Sequence, residues 1–286
     1  MPLAQLAPRL APHLPRLRHQ LGRPLRLGGR SYRVRGYLAN RQAVTLDHEP
    51  HLMGPLARAL ETHPGAFVDV GVNTGQTLLK VLALDPDRPW LGFEPQIGCC
   101  FCVQQFLVDN GLDHARIVPM ALSDRDGVAT LRADGLFDEM AALNGSKNGP
   151  QNACLGREVP VLTAPGDRVL SELGVPDPGV IKIDVEGGEL AVLRGLRETL
   201  ARARPAVFFE VLPNFTGEDR VPLGPEPAAV NRQRAAAIFA LLTGFGYAIR
   251  QIDGQGGTHP IQAFDLDDRA RFLGRDYVAV AGAREI

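Results

Sequence analysis

Apolar residues follow two different rhythms along the chain, and each rhythm predicts one kind of element. Short runs rich in Val, Ile and aromatic residues are typical of buried strands, whereas apolar residues spaced three or four apart are typical of helices. The runs predict strands at 66–70, 90–94, 116–121, 128–132, 158–163, 180–185, 206–212, 247–252 and 277–281. The longer spacing predicts helices at 55–62, 76–84, 97–110, 164–173, 189–202 and 230–245.

Strands that alternate with helices of this length form βαβ units and a mostly parallel sheet. The fold class is therefore expected to be α/β, with a doubly wound, Rossmann-like sheet. The last two strands have no helix between them, which predicts an antiparallel hairpin at the C-terminal end. Residues 25–34 alternate around Gly28-Gly29, which predicts a second hairpin. We expect an N-terminal extension (1–64, a basic arm, hairpin and helix) and one main domain (65–286).

Composition narrows the class of partner. The 286 residues are 45% hydrophobic and 22% charged, with a net charge of −1, which suits a globular protein and lacks the basic footprint of nucleic-acid binding. Residues 1–41 differ, since they hold nine arginines and no Asp or Glu. No apolar run is long enough for a signal peptide or a membrane span. We expect a cytoplasmic protein with a small-molecule partner, and the oligomeric state stays open.

The four cysteines do not predict a metal or redox site. Cys99, Cys100 and Cys102 lie together in a predicted helix, and Cys154 is distant. A zinc site would need a second pair of ligands at similar spacing. Buried thiols in a reducing compartment are the expected state.

A glycine-rich turn follows the first strand of the main domain. It contains Asp69, Gly71, Asn73 and Gly75, and glycines let a backbone turn sharply and approach a ligand. A dinucleotide fingerprint would need Gly where Asn73 and Gln76 stand. An acidic residue before the first glycine would repel a pyrophosphate but suits an ammonium and a sulfonium. The turn therefore favours S-adenosylmethionine (AdoMet) over NAD.

Two carboxylates follow the next strands. Glu94 ends a strand nineteen residues after Gly75, where a carboxylate can accept both ribose hydroxyls of an adenosine. Asp124 follows the third strand, where it can accept from an adenine amine. A surface role for either residue is the competing interpretation.

Charged residues interrupt the strand at 180–185. Lys182, Asp184 and Glu186 alternate on one side, and Gly187-Gly188 then opens a helix. A buried parallel strand should be apolar throughout, and such exceptions cluster at functional sites. This stretch is the expected substrate side of the site.

Together these segments resemble the FkbM-type methyltransferases. The resemblance rests on FVDVGVNTG at 67–75, Glu94-Pro95, ALSDRDG at 121–127 and IKIDVEG at 181–187, and it runs from about 65 to 215. It implies a class I AdoMet-dependent fold and O-methylation of a hydroxyl on a sugar, polyketide or similar metabolite. Its implied cofactor residues are Asp69, Gly71, Asn73 and Gly75 at the methionine end, Glu94 at the ribose and Asp124 at the adenine. The segment 144–149 departs from the family's usual Ser-rich stretch, so the substrate is less transferable than the cofactor.

Methyl transfer is an in-line displacement that depends on positioning, and an alcohol acceptor also benefits from a base. Asp184 is the first candidate for that base, with Lys182 as its partner and with Glu186 and Glu210 nearby. No metal is expected, although oxygen ligands from Asp184, Glu210 and Asn214 would suit Mg²⁺.

Several other interpretations stay open at this point. An NAD-dependent oxidoreductase would also use an acidic strand-end residue, and a non-catalytic binding protein could keep the same fold. His48 and His51 are expected to be solvated loop residues, and His259 is the histidine best placed for a pocket. The stretch 143–152 is either a lid over the substrate or disordered surface.

Overall fold

The computed structural model describes residues 22–35, 46, 48–138, 141–143, 156–216, 220–268 and 275–282. The strands in these ranges are β1 (Arg23–Leu27), β2 (Arg30–Val34), β3 (Ala66–Val70), β4 (Trp90–Phe93), β5 (Ala115–Val118), β6 (Ala121–Ser123), β7 (Gly127–Ala133), β8 (Ala142–Leu143), β9 (Arg157–Pro165), β10 (Pro178–Ile183), β11 (Ala206–Glu210), β12 (Phe215–Thr216), β13 (Val221–Pro222), β14 (Tyr247–Ile252), β15 (Thr258–Pro260) and β16 (Asp276–Ala281). The helices are a 3-10 turn (Pro50–Leu52), α1 (Met53–Thr62), α2 (Gln76–Leu84), α3 (Ile97–Asp109), α4 (Gly166–Glu172), α5 (Glu189–Gly195), α6 (Arg197–Arg202) and α7 (Pro225–Gly244).

The central sheet has the strand order β15-β14-β16-β11-β10-β3-β4-β5. The five strands from β11 to β5 run parallel, and β16 lies antiparallel to both β11 and β14. Strands are first added outward from β3 to β5, and the chain then returns to place β10 on the other side of β3. This reversal opens a crevice at the carboxyl ends of β3 and β10. The predicted α/β class and the antiparallel pairing of the last strands are confirmed, with β16 inserted between β11 and β14.

Side chains alternate along the parallel strands into two hydrophobic cores. Phe67 and Val180 point to one side, where the β1–β2 hairpin, α1, α2 and α3 cover them. Val68 and Ile181 point to the other side, under α4, α5, α6 and α7. Both faces of the sheet are thus buried, which explains why these strands are mostly apolar, with Asp69 and Lys182 as the charged exceptions.

One part of the predicted sheet pairs differently. The predicted strand at 116–121 divides into β5 and β6, and β6 leaves the central sheet to join a second one with the order β6-β9-β7-β8. The predicted helix at 189–202 also divides, into α5 and α6. A Cβ atom on Gly195 would overlap the carbonyl oxygen of Ser123, so the helix packs directly against the β6 backbone at a glycine, which weakens a helix.

The described part of the N-terminal extension shares the core of the main domain. The hairpin at β1 and β2 forms as predicted, and Leu27, Tyr32 and Val34 lie in the same hydrophobic cluster as the strands of the central sheet. The boundary between 64 and 65 stays a prediction. The arm at 1–21, Cys154 and the stretch 144–152 lie outside the described residues. Among the residues that are described, no helix is long and apolar enough to cross a membrane.

Candidate functional site

A cavity of about 1170 Å³ lies at the carboxyl ends of the central strands, at the crevice between β3 and β10. Most of the residues singled out from the sequence line it: Gly71, Asn73, Glu94, Asp124, Lys182, Asp184, Glu186 and Glu210. Segments far apart in the sequence therefore meet in one site. Asp69 and Gly75 are not among the lining residues.

The glycine-rich turn passes very close to the end of β10. Gly71 has φ 88°, and a Cβ atom there would overlap the carbonyl oxygen of Asp184. Asn73 also adopts a left-handed conformation, with φ 49°. Gly75 has φ 94° and precedes the first residue of α2. Glycine is thus required at Gly71 by the neighbouring strand itself, in addition to any ligand that the turn contacts.

The main chain on both sides holds the carboxylate of Glu94. Its Oε2 accepts a hydrogen bond from the backbone N–H of Asn73 at 2.8 Å, and its Oε1 accepts one from the backbone N–H of Gln96 at 2.8 Å. Burial raises the pKa of Glu94, and these two hydrogen bonds act against that rise. The carboxylate therefore has a fixed orientation at the cavity wall.

Asp69 lies beneath the turn rather than in the cavity. It sits on β3 opposite Lys182 of β10, and it is fully buried. Neither carboxylate oxygen has a hydrogen-bond partner among the described residues. Burial raises the pKa of Asp69 to about 7, against the influence of Lys182. The expectation that Asp69 and Gly75 line the cofactor pocket differs from this placement, because Asp69 faces the α2 side of the sheet and Gly75 begins that helix.

Asp124 lies where the adenine end of a nucleoside cofactor is expected. It follows β6 and lines the cavity, and the guanidinium Nε of Arg125 is 3.5 Å from its Oδ1. Its carboxylate is partly exposed, so it is held less firmly than Glu94.

Lys182 and Asp184 form a buried ion pair at the end of β10. The Nζ atom of Lys182 donates to Oδ2 of Asp184 at 2.8 Å. Burial alone would lower the pKa of Lys182, but Asp184, Glu49 and Asp69 outweigh it and raise that pKa. Burial would also raise the pKa of Asp184, and the pairing with Lys182 lowers it instead. Both groups are therefore charged at neutral pH.

Three carboxylates meet beside this pair. Oxygens of Asp184, Glu186 and Glu210 lie within 4.8 Å of one another. Burial raises the pKa of Glu210 well above its ordinary value, and the charge of Asp184 adds to the rise. The Nε atom of Arg275 is 3.2 Å from Oε1 of Glu210, so two of the three carboxylates already have cationic partners.

The alternative metal set included Asn214, which is not among the residues that line the cavity. The amide Nδ2 of Asn214 donates to Oδ1 of Asp267 at 2.9 Å. Of the three ligands considered for Mg²⁺, Asp184 and Glu210 therefore line the cavity and Asn214 does not.

Sequence reasoning missed several residues of the cavity wall. His48 and Glu49 line it from the segment before the main domain, and Asn231 and Arg234 line it from α7. His48 is an exposed loop residue, as expected, but it also lines the cavity, whereas His51 is buried and pairs with Asp276 at 2.8 Å, contrary to expectation. His259 pairs with Asp253 at 2.7 Å and is not among the lining residues. The pair of histidines around Glu49-Pro50 was the available signal, but no motif attaches it to a site.

The clustered cysteines are buried in α3. Cys99, Cys100 and Cys102 are all buried, and burial raises the pKa of Cys100 to about 12. The Cys100 thiol donates to the backbone oxygen of Glu94 at 2.9 Å. Burial also raises the pKa of Cys102, so the thiols of Cys100 and Cys102 are protonated packing groups rather than nucleophiles.

Comparison with known proteins gives one family. Residues 69–249 match the model of the methyltransferase FkbM domain. The 2-O-methyltransferase NoeI of Sinorhizobium fredii is 29% identical over 155 residues, which are 51% of this chain and 63% of NoeI. The matched part thus spans less than two thirds of that relative.

The solved structures that resemble the chain are more distant. The methyltransferase FkbM of Methylobacillus flagellatus has 14% identity and a TM-score of 0.42, and the match covers 76% of this chain and 43% of that protein. An O-methyltransferase of Bacillus cereus in complex with SAH has 10% identity and a TM-score of 0.45, and the match covers 85% of this chain and 84% of that protein. The family match extends from Asp69, within β3, to residue 249, within β14, and so includes the glycine-rich turn and the charged end of β10. By that match this chain belongs to the FkbM methyltransferase family.

Proposed function

We propose that this protein is an AdoMet-dependent O-methyltransferase that acts on a hydroxyl group of a small metabolite or sugar. The observation that carries the proposal concerns Glu94. Its buried carboxylate is fixed by the backbone of Asn73 and Gln96 at the wall of the cavity between β3 and β10. An acceptor oxygen pair at this position fits the two hydroxyls of a ribose.

The carboxyl groups that line the cavity fit AdoMet better than a phosphate-bearing cofactor. Glu94, Asp124, Asp184 and Glu186 all present carboxyl groups to the cavity. Negative groups attract an ammonium and a sulfonium and repel a pyrophosphate. The volume of about 1170 Å³ leaves room for a nucleoside cofactor and a small acceptor together. When bound, AdoMet supplies a methyl group on a positively charged sulfur.

The residues at the ends of β10 and β11 would form the acceptor side. Lys182 holds the Asp184 carboxylate in its ionised state, and Arg275 holds Glu210 in place. Asp184 then stabilises positive charge and orients the acceptor hydroxyl, whereas its lowered pKa makes it a weak proton acceptor. Lys182 acts as a positioning residue, because its ammonium is already committed to the carboxylates.

The printed name of NoeI supports the choice of oxygen as the methyl acceptor. NoeI is a 2-O-methyltransferase, and its alignment with this chain covers about half of this chain. The identity of the acceptor is not carried over, because the similarity leaves more than a third of NoeI unmatched.

The two competing functions make different demands on this cavity. An NAD-dependent oxidoreductase would need a glycine where Asn73 lies, and it would place a pyrophosphate among carboxylates. A non-catalytic protein would not need a charged strand end, whereas Lys182 and Asp184 form a buried pair that costs desolvation energy. Both alternatives are less favoured than methyl transfer.

The test has two parts. Binding of S-adenosylhomocysteine (AdoHcy) and of NAD is measured by calorimetry and thermal shift, with AdoHcy expected to bind and NAD not. Transfer of a tritiated methyl group from AdoMet is then measured on a panel of methyl glycosides and polyhydroxylated alcohols. Stabilisation by NAD alone would overturn the proposal.

A further inference from the structure

A short segment ahead of the family-matched region reaches into the cavity. His48 and Glu49 both line it, although the family match begins only at residue 69. Glu49 has a left-handed backbone, with φ 46°, and a 3-10 turn (Pro50–Leu52) follows it directly. The chain is therefore bent at the point where it meets the cavity.

Two ion pairs hold this segment in place. The Oε2 atom of Glu49 is 3.7 Å from Nζ of Lys80, a lysine of α2 that is only 1% exposed. Two residues after Glu49, Nε2 of His51 lies 2.8 Å from Oδ2 of Asp276 at the start of β16. Leu52 is buried in the core just beyond them. The segment that carries His48 is thus held by contacts of Glu49 and His51 with two different elements of the central fold.

The imidazole of His48 lies beside the charged end of β10. It is close enough to Asp184 for its positive form to lower the pKa of that carboxyl group, together with Lys182 and Arg275. The other charged groups around the segment are Glu49 and His51 of the segment itself, Lys80 of α2, and Asp276 of β16. Among the described residues, no other histidine lines the cavity.

Three of the other charged groups of the acceptor side are already held in ion pairs. Asp184 is paired with Lys182, Glu210 is paired with Arg275, and Lys182 is protonated. Imidazole is the side-chain type that most often exchanges a proton near neutral pH. A base is most effective when a nearby carboxylate stabilises the cation that it becomes, and Asp184 is placed to do so.

On this geometry, and resting on the proposed methyl transfer, we propose that His48 is the general base of the reaction. The neutral imidazole accepts the proton of the acceptor hydroxyl while that oxygen forms a bond to the methyl carbon and the carbon–sulfur bond breaks. The positive charge of the sulfonium is thereby transferred to the imidazolium, which Asp184 faces. The segment outside the matched region thus supplies a catalytic residue to the domain.

The kinetic test compares the wild-type protein with His48→Gln, His48→Ala and the control His259→Gln, an exposed histidine that does not line the cavity. The methyl glycoside that reacts fastest in the panel above serves as acceptor. Loss of a general base is expected to lower kcat by about 10²–10⁴-fold in both His48 variants. AdoHcy affinity should change by less than about threefold, free imidazole should restore part of the rate of His48→Ala, and His259→Gln should retain wild-type kcat.

A second readout does not need turnover. Diethyl pyrocarbonate modifies exposed imidazoles, and mass spectrometry locates the modified peptide. AdoHcy and the methyl glycoside together should protect His48 but not His259. The assignment would be overturned if the His48 variants lost less than threefold in kcat, or if imidazole did not restore the rate of His48→Ala. It would also be overturned if the rate loss and its rescue were found in Glu186→Gln instead. Failure of the proposed function would differ, since the wild-type protein itself would then neither bind AdoHcy nor methylate any acceptor.

Discussion

The two halves of the cavity are built by different means. On the cofactor side, Glu94 takes its orientation from backbone N–H groups at 2.8 Å, and the turn at Gly71 is fixed by contact with the next strand. On the acceptor side, Lys182, Asp184 and Glu210 hold one another and Arg275 through charges. The backbone N–H donors do not titrate, so Glu94 is the one titratable group of that contact, whereas both members of the Lys182–Asp184 pair are titratable. The reacting half is therefore expected to respond more strongly to protonation than the binding half.

The largest effect should come from the buried charge at Asp69. Its folded pKa of about 7 lies above the ordinary value of 3.8, so the folded protein keeps a proton that the unfolded chain releases. The free energy of unfolding should then fall as the pH rises from about 4 to about 7, by up to about 4 kcal/mol from this group. Asp69→Asn should remove that fall, which urea unfolding at several pH values measures.

A matched control separates this effect from general acid sensitivity. Asp87 is exposed, and its hydrogen bond with Arg30 lowers the pKa of its carboxyl group. Asp87→Asn should therefore leave the decline between pH 4 and 7 in place. If Asp69→Asn and the wild-type protein instead show parallel stability curves, the buried carboxyl group of Asp69 is not the source of the pH dependence.

Glu94→Ala should produce the largest loss of cofactor affinity. The change removes the expected acceptor for the ribose and frees the backbone of Asn73 and Gln96. Two hydrogen bonds to a charged group correspond to about 3 kcal/mol, or roughly a hundredfold increase in the Kd of AdoHcy measured by calorimetry. Glu94→Gln keeps one acceptor oxygen, so its Kd for AdoHcy should lie between those of the wild-type protein and Glu94→Ala. Equal affinity in all three proteins would remove Glu94 from the cofactor site.

Asp184→Asn should affect the rate rather than binding. The variant keeps its size but loses the charge opposite Lys182, so it can no longer stabilise developing positive charge on the acceptor side. We expect kcat for methyl transfer to fall by about 10²-fold, which corresponds to about 2.7 kcal/mol. The Kd of AdoHcy should stay within threefold. A large rise in that Kd with unchanged kcat would mean that the two halves have been assigned the wrong way round.

The smallest effect is expected at Asp124. It is partly exposed and already near Arg125, so the loss of its contact with an adenine amine should cost about 1 kcal/mol. Asp124→Ala should raise the Kd of AdoHcy less than tenfold in the same calorimetric experiment. An effect as large as that of Glu94→Ala would show that partial exposure does not weaken this end of the site.

The short apolar runs predicted the central strands well because β3, β4 and β10 are buried on both faces. The same signal could not assign partners: β9 was predicted as a strand like the others, yet it pairs with β7 in the second sheet. The break of the helix near Gly195 depends on the close approach of β6, which only the tertiary structure contains.

The candidate site was predictable where its residues follow a strand. Gly71, Glu94 and Asp184 could be found because the carboxyl ends of parallel strands meet at one edge of the sheet. Asp69 also lies near the end of its strand, but it is not among the residues that line the cavity, and its role at the cofactor stays a prediction. His48 could not be found, because its position depends on the partners of Glu49 and His51, which lie far away in the sequence.

The N-terminal hairpin and the segment at residues 48–52 have a practical consequence for protein production. A chain trimmed to the matched region would lack β1, β2 and α1, and with them Leu27, Tyr32 and Val34. The apolar faces of α2 and α3 that these elements cover would then be exposed to water, which promotes aggregation. Soluble expression should therefore require a start upstream of Arg23, well before the first residue of the family match.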